Sequence, residues 1–151
     1  RMARKLGVTM NKFSKILFLC VANSARSQMA EAIAKKILPA TVRVQSAGSR
    51  PGPHIHPLAV QTMMDFNSEI TKSIPKSIDS LPPHFLDEEC LVVRLCAEED
   101  CPLISQRIEI RDWSLPDPAN PNEGDINLAF AKTREALIER VFELKKEMFD
   151  T

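Results

Sequence analysis

Cys20 and Arg26 are the residues of this chain whose types and spacing most directly suggest chemistry. Cys20 follows a short apolar run, residues 16–19, and Arg26 comes six positions later, where a helical stretch begins. Backbone N–H groups of a loop that leads into a helix bind tetrahedral anions, and a guanidinium can hold two anion oxygens side by side. The spacing therefore predicts an oxyanion-binding loop with a nucleophile before it. This loop comprises Val21, Ala22, Asn23, Ser24, Ala25 and Arg26.

The neighbours of Cys20 support this interpretation. The positive field of the loop and of Arg26 favours the thiolate, which is the nucleophilic form of cysteine. Ser27 can cap the helix and can donate a hydrogen bond to the Cys20 sulfur. Asn23 lies in the middle of the loop and tolerates a positive φ there. The alternative is a buried strand cysteine beside an unrelated surface arginine.

Composition limits the classes of function. The chain has 151 residues, enough for one domain with a single core, and its 20 basic residues balance 20 acidic ones. We expect residues 1–14 to be a flexible N-terminal arm or an expression remnant plus a lead-in, and residues 15–151 to form the domain. Since the arm is basic, the domain is net negative, which argues against nucleic-acid binding. No apolar stretch reaches membrane-spanning length, so we expect a cytoplasmic protein without a membrane partner.

Strands and helices alternate along the chain. Hydrophobic periodicity predicts strands at residues 15–21, 42–46, 90–95 and 104–110, and helices at residues 27–38, 57–66, 82–89 and from Asp125 onward. Residues 111–125 are rich in proline and are expected to form an ordered loop. The alternation predicts an α/β fold with a parallel sheet covered on both faces and ligands at the carboxyl ends of the strands. Cys20 and Cys96 both lie at such ends.

Cys96 and Cys101 form a second candidate site, because only the short acidic connector of residues 97–100 separates them. In a reducing compartment, unevenly spaced cysteines suggest catalysis or metal binding rather than a disulfide framework. We favour a redox pair, for which the connector can rearrange at low cost. Two structural thiols are one alternative. A zinc site is another, with further ligands to be drawn from His54, His56 and His84.

Arg94 and Cys90, which also lie on the third strand, are expected to have structural roles. Arg94 shares a strand face with Cys96, so it either favours the Cys96 thiolate or pairs with a local carboxylate, and we favour the pairing. Cys90 begins the strand and is expected to be a buried, inert thiol.

Asp117 is the candidate general acid. Thiolate attack on an oxyanion must expel an oxygen, and protonation of that oxygen lowers the barrier. Asp117 lies between two prolines in the loop before the last helix, which would fix its carboxyl group in place. An ordinary turn is the alternative role for such a residue. Asp112 and Asp125 compete for the role of acid.

These motifs together resemble the low-molecular-weight tyrosine phosphatase fold. The resemblance rests on residues 20–27 with the Gln-Met-Ala-Glu segment that follows them, on the Ser46-Ala47-Gly48 turn and on the Asp117-Pro118 pair. It extends over residues 15–148. It implies a three-layer α/β sandwich in which a four-stranded parallel sheet is flanked by helices.

Within this fold, the sequence is similar to the thioredoxin-coupled arsenate reductases. The similarity rests on Leu95-Cys96, Cys101-Pro102 and the segment from Trp113 to Asp117. Ala119 and Asn120 stand where the tyrosine phosphatases carry aromatic residues, which argues against a phosphotyrosine substrate.

The resemblance implies a role for each candidate residue. Cys20 would be the nucleophile, Arg26 with the loop amides the oxyanion binder, Ser27 the group that tunes the thiol and Asp117 the acid. The substrate would be arsenate, with phosphate or sulfate as competing oxyanions. Oxidation would then pass from Cys20 through Cys96 to Cys101, and thioredoxin or glutaredoxin would reduce the final disulfide.

The resemblance also implies a structural potassium ion beside the loop and no other cofactor. The positions that match its ligands are Asn23, Glu31, Ser46 and Asp79, all of which carry oxygen as a hard cation requires.

Three other functions compete with thioredoxin-coupled reduction. One is a phosphatase, in which water hydrolyses a Cys20–phosphate intermediate. The second is an arsenate reductase coupled to glutathione and glutaredoxin. The third is a module that binds oxyanions or arsenite without turnover.

Overall fold

The computed structural model describes residues 13–96, 107–122 and 124–149. Strands and helices alternate in these ranges over most of their length. In chain order the elements are β1 (Lys15–Cys20), α1 (Arg26–Ile37), β2 (Arg43–Gly48), α2 (Pro57–Met64), a 3-10 helix (Ile78–Ser80), β3 (Cys90–Cys96), β4 (Glu109–Leu115) and α3 (Ile126–Phe149).

The four strands form one parallel sheet in the order β2-β1-β3-β4. Because all strands run in the same direction, their carboxyl ends meet at one edge. Cys20 pairs there with Gly48 of β2, and Cys96 of β3 pairs with Leu115 of β4. The predicted four-stranded parallel α/β fold is confirmed.

Both faces of the sheet are covered, by different kinds of structure. Alternate residues of β1 point to opposite faces, so Phe18 packs among residues of α1, α2 and α3, while Leu17 faces the other way. On that second face, the 3-10 helix and the turns after it supply apolar cover, with Phe85 fully buried. The last helix, α3, also packs on the core, through Phe130, Leu137, Val141, Leu144 and Met148.

The bounds predicted for the fourth strand are wrong. The strand runs through residues 109–115, which were expected to lie mostly in the loop, and residues 104–106 lie outside the described residues. β4 is an edge strand that contains charged residues, and two of these pair with residues of other elements. Arg111 binds Glu147 of α3, and Asp112 binds Arg94 of β3. Such partners cannot be read from local periodicity.

The predicted helix over residues 82–89 is also wrong. This segment forms successive turns, and His84 has a φ of 62°, which a right-handed helix excludes. The Asp87 side chain accepts a hydrogen bond from the Glu89 backbone N–H, as aspartates in turns do.

Among the described residues, no helix combines the length and the apolar character needed to cross a membrane. Phe13, in the lead-in to the domain, is buried in the core. Residues 1–12 of the predicted arm and lead-in lie outside the described residues.

Candidate active site

The predicted oxyanion loop connects the end of β1 to the first residue of α1. Cys20 is 3% exposed and Arg26 is 5% exposed. The carbonyl oxygens of Val21, Ala22 and Ser24 accept hydrogen bonds from backbone N–H groups of an outer segment, residues 50–56. With these carbonyls turned outward, the loop can present N–H groups toward its centre, as an anion-binding loop requires.

Two polar groups contact the Cys20 sulfur. The Ser27 hydroxyl lies 2.8 Å from Sγ, and the Asn23 backbone N–H donates to Sγ at 3.3 Å. The contact predicted between Ser27 and Cys20 is therefore present. The predicted cap is not, because the N-cap position of α1 is Ala25 and no side chain bonds there.

Asn23 is fully buried and fixes the shape of the loop. Its φ is 53°, as predicted. Its amide Nδ2 donates to Ser27 and Ser46 at 2.7 and 3.0 Å, and its Oδ1 accepts from the Gln28 side chain and the Lys76 backbone N–H at 2.9 and 2.8 Å. All four hydrogen-bonding positions of the amide are thus used, which stabilises the unusual backbone conformation.

The four positions that match potassium ligands are only partly together. Ser46 donates to Glu31 at 2.5 Å and accepts from Asn23, whereas Asp79 is exposed on the 3-10 helix. Within the part of the chain that the structure describes, no hydrogen bond or ion pair joins Asp79 to the other three.

This arrangement does not fit a potassium ion as the resemblance implies it. Asn23 turns its N–H₂ group, a donor, toward Ser46, whereas a cation requires oxygen. Glu31 already pairs with the ammonium groups of Lys35 at 2.6 Å and Lys76 at 3.4 Å. These two lysines supply positive charge where the ion was expected.

Arg26 connects the loop to the ends of two strands. Its Nη1 donates to the Leu115 carbonyl oxygen at 2.8 Å and to the Leu95 carbonyl oxygen at 3.3 Å. Leu115 is the last residue of β4, and Leu95 immediately precedes Cys96.

The described cysteines fall into two different environments. Cys20, Val21 and Cys96 pack together in a small buried cluster of their own, at the edge where β1 and β3 end. Cys96 is disulfide-bonded, and Cys20 and Cys90 are free thiols. Cys90 belongs to the core on the second face of the sheet. Cys101 and the connector of residues 97–100 lie outside the described residues.

The zinc alternative gains no support from the described residues, which contain no group of three or more His, Cys, Asp and Glu side chains able to hold a metal. His56 has a structural role instead. Its Nδ1 accepts the Leu58 backbone N–H at the start of α2, and its ring packs on Phe130.

Of the three candidate acids, Asp112 is held in an ion pair and Asp125 lies at the start of α3. Asp112 forms a two-point ion pair with Arg94, at 2.7 and 2.9 Å, and hydrogen bonding to Arg94 lowers the pKa of Asp112. The expected pairing of Arg94 with a local carboxylate is confirmed. Asp125 accepts the Asn127 backbone N–H at the start of α3.

Asp117 follows β4 at the carboxyl edge of the sheet, the edge that also carries Cys20. It is partly exposed, and its Oδ1 accepts the Ala119 backbone N–H at 3.0 Å. The turn expected for an aspartate between prolines is therefore present. A carboxyl group held in this turn lies two residues beyond Leu115, which Arg26 anchors.

The pattern of the low molecular weight phosphotyrosine protein phosphatase family matches residues 15–150. The chain belongs to this family. The match includes Cys20 with the loop that follows it, β3, β4 and Asp117, so the family likeness extends over the whole candidate site.

Relatives within the family are similar over most of the chain. Arsenate reductase 1 of Staphylococcus haemolyticus is 32% identical over 135 residues, which cover 88% of this chain and 96% of that protein. A solved structure of an arsenate reductase in the phosphate binding state is 26% identical, with a TM-score of 0.73, and covers 90% of this chain and 99% of that one. The thioredoxin-dependent arsenate reductase of Corynebacterium glutamicum is 26% identical, with a TM-score of 0.65, over 90% of this chain and 61% of that one.

Sequence reasoning missed several residues of this phosphatase-family site. Gln28 and Lys76 hold the Asn23 amide, and the outer segment of residues 50–56 holds the loop carbonyls. Most of these contacts involve backbone atoms, so no side-chain motif marks them.

Cys90 leads to a prediction about alkaline stability. Burial raises the pKa of the Cys90 thiol from 9.0 to about 12. Above pH 9 the unfolded chain loses this proton and the folded chain keeps it, so stability falls as pH rises. Between pH 9 and 10.5 the free energy of unfolding should fall by about 2 kcal/mol, at about 1.4 kcal/mol per pH unit. Urea unfolding under reducing conditions should show a smaller alkaline loss in Cys90→Ala. An identical loss in both chains would contradict the prediction.

Proposed function

We propose that this chain is an arsenate reductase that uses Cys20 as nucleophile and thioredoxin as reductant. The observation that carries the proposal is the shared buried cluster of Cys20, Val21 and Cys96 at the mouth of an oxyanion loop. A phosphatase needs only the first thiol, whereas a reductase needs a second thiol within reach of it. The arsenate reductases among the relatives support the same substrate.

The first step in this proposal is addition of the Cys20 thiolate to arsenate. Arsenate docks on the loop amides and Arg26, and Cys20 forms a sulfur–arsenic bond as one oxygen leaves. Asp117 donates the proton that this oxygen takes away as water. Ser27 and the Asn23 N–H stabilise the attacking thiolate through the hydrogen bonds already described.

The second step in the proposal reduces arsenic. Cys96 attacks the Cys20 sulfur, and the sulfur–arsenic bond breaks with its electron pair going to arsenic. Arsenic(V) becomes arsenic(III), arsenite leaves, and the two thiols become a Cys20–Cys96 disulfide. Cys101 then attacks Cys96, which restores the Cys20 thiol and leaves a Cys96–Cys101 disulfide for the reductant. A disulfide-bonded Cys96 beside a free Cys20 is the arrangement expected at the end of this sequence.

Thioredoxin is the proposed reductant because a relative that covers most of this chain is described as thioredoxin-dependent. A dithiol reductant of this kind operates where thiols are kept reduced, so we expect the protein to act in the cytoplasm. No metal enters the proposed reaction. Phosphate and sulfate should compete with arsenate, since they share its tetrahedral shape and charge.

A coupled assay tests this proposal. Arsenate-dependent NADPH oxidation should be robust with thioredoxin and thioredoxin reductase, and weak with glutathione and glutaredoxin. Mass spectrometry after one turnover without reductant should find the Cys96–Cys101 disulfide. Faster NADPH oxidation with glutathione and glutaredoxin than with thioredoxin would identify glutaredoxin as the reductant.

The family also makes phosphate-ester hydrolysis the second candidate function, since the same loop would bind a phosphate group. Fast hydrolysis of p-nitrophenyl phosphate with no arsenate-dependent NADPH oxidation would establish the phosphatase and refute the reductase. Tight arsenate binding without turnover under either reductant would leave only an oxyanion-binding module.

A further inference from the structure

Arg26 has contacts that oxyanion binding does not explain. The side chain is nearly inaccessible to solvent, and its Nη1 bridges two carbonyl oxygens that belong to different strands. One is Leu95 of β3 and the other is Leu115 of β4. A planar guanidinium with five N–H donors can make such contacts through one nitrogen while its other edge points elsewhere.

These two carbonyls lie where the sheet becomes irregular. β3 and β4 pair regularly up to Arg94 and Asp112, and the register then shifts before Cys96 meets Leu115. A bulge of this kind re-aims the side chains beside it and weakens the local ladder. Pro116 follows directly and has no N–H with which to extend the pairing. The position of Cys96 is therefore held less firmly by the sheet than the positions of residues earlier in β3.

We propose that Arg26 is a positioning residue for Cys96 as well as an oxyanion binder. By holding Leu95, the residue before Cys96, and Leu115, the residue paired with it, Arg26 fixes the Cys96 sulfur relative to Cys20. The inference rests on the proposed function in one respect, since it concerns the thiol that would resolve the Cys20 adduct. One guanidinium would thereby place both the oxyanion and the second thiol around the same nucleophile.

The test separates the reactivity of Cys20 from the approach of Cys96. In a Cys101→Ser background without arsenate, diamide oxidises Cys20 and Cys96 to a disulfide. Two thiols lose two protons and two electrons, and the N=N bond of diamide becomes a hydrazine. The rate of this reaction depends on both thiols. Alkylation of Cys20 by iodoacetamide, measured in a Cys96→Ser, Cys101→Ser chain, depends on Cys20 alone.

Arg26→Lys keeps the positive charge but lacks the planar fork. We expect it to slow alkylation of Cys20 by about threefold or less, and to slow disulfide formation by a further factor of about ten or more. Arg26→Gln removes the charge and should slow both reactions, with disulfide formation again slowed more. Arg50→Lys, an exposed arginine in the outer segment, is the matched control and should leave the ratio of the two rates unchanged.

Equal slowing of the two reactions in either Arg26 variant that folds, as judged by circular dichroism, would overturn the inference. The assay contains no arsenate, so it stands apart from the test of the proposed function. If the chain does not reduce arsenate, disulfide formation can still be slowed more than alkylation in the Arg26 variants. If the chain is a reductase, the two reactions can still be slowed equally.

Discussion

Cys96→Ser is expected to abolish steady-state arsenate reduction, lowering kcat by about 10³-fold or more. Without the second thiol the Cys20–arsenate adduct can form, but no sulfur is at hand to take the arsenic–sulfur electron pair onto arsenic. The reaction should therefore stop before arsenite is released. Arsenite production and NADPH oxidation in the thioredoxin-coupled assay both report this loss, and the protection that arsenate gives Cys20 against alkylation should persist.

Cys90→Ala is the matched control for this variant. Cys90 begins the same strand, six residues before Cys96, and packs in a different apolar cluster, where burial raises the pKa of its thiol. Its removal should leave kcat within about twofold of the parent chain, with only the modest stability loss of a small cavity. Arsenite release that continues undiminished in Cys96→Ser would show that another thiol, of the chain or of the reductant, resolves the adduct. The proposed sequence of thiols would then be incorrect.

Gly48→Ala is expected to reduce kcat/KM for arsenate by about 100-fold or more, although Gly48 touches no substrate. A Cβ atom on Gly48 would lie 2.3 Å from the Val21 carbonyl oxygen and 3.0 Å from the Asn23 nitrogen. Both neighbours are backbone atoms of the oxyanion loop and cannot rotate away. The loop must shift, which displaces the Asn23 N–H from the Cys20 sulfur. We also expect a stability loss of about 1–3 kcal/mol from the forced repacking.

Gly52→Ala provides the comparison within the same region. A Cβ atom there would meet the Ala22 side chain and carbonyl at 3.9 Å, which is ordinary contact. This variant should keep kcat/KM within about threefold of the parent and lose about 1 kcal/mol of stability or less. Steady-state kinetics and thermal unfolding of both variants give the answer. Similar kinetics for Gly48→Ala and the parent chain would contradict this prediction and would mean that the loop tolerates displacement.

The central part of the site could be predicted from the sequence because its chemistry is local. Cys20, Asn23 and Arg26 lie within one short loop, and the apolar run before them marks a buried strand. The loop geometry, the positive φ of Asn23 and the contact of Ser27 with the Cys20 sulfur follow from that local pattern.

Features that depend on distant partners could not be predicted. β4 carries Arg111 and Asp112, whose charges are compensated from α3 and β3, so its sequence looks like a loop. Residues 82–89 contain enough apolar residues to suggest a helix. In the structure their backbone is irregular, and their apolar side chains pack on the second face of the sheet. Lys76 reaches Glu31 across 45 positions of the chain, a distance that no motif spans.

The outer segment of residues 50–56 supports the loop through main-chain atoms alone, from Arg50, Gly52 and His56. Any amino acid except proline can donate these three hydrogen bonds. The exposed side chains of this segment, such as those of Arg50 and His54, can therefore change without removing these hydrogen bonds, whereas Ile55 and His56 also pack within the fold. Substitutions at these positions could therefore change which substrates reach the loop, while the loop itself continues to bind an oxyanion.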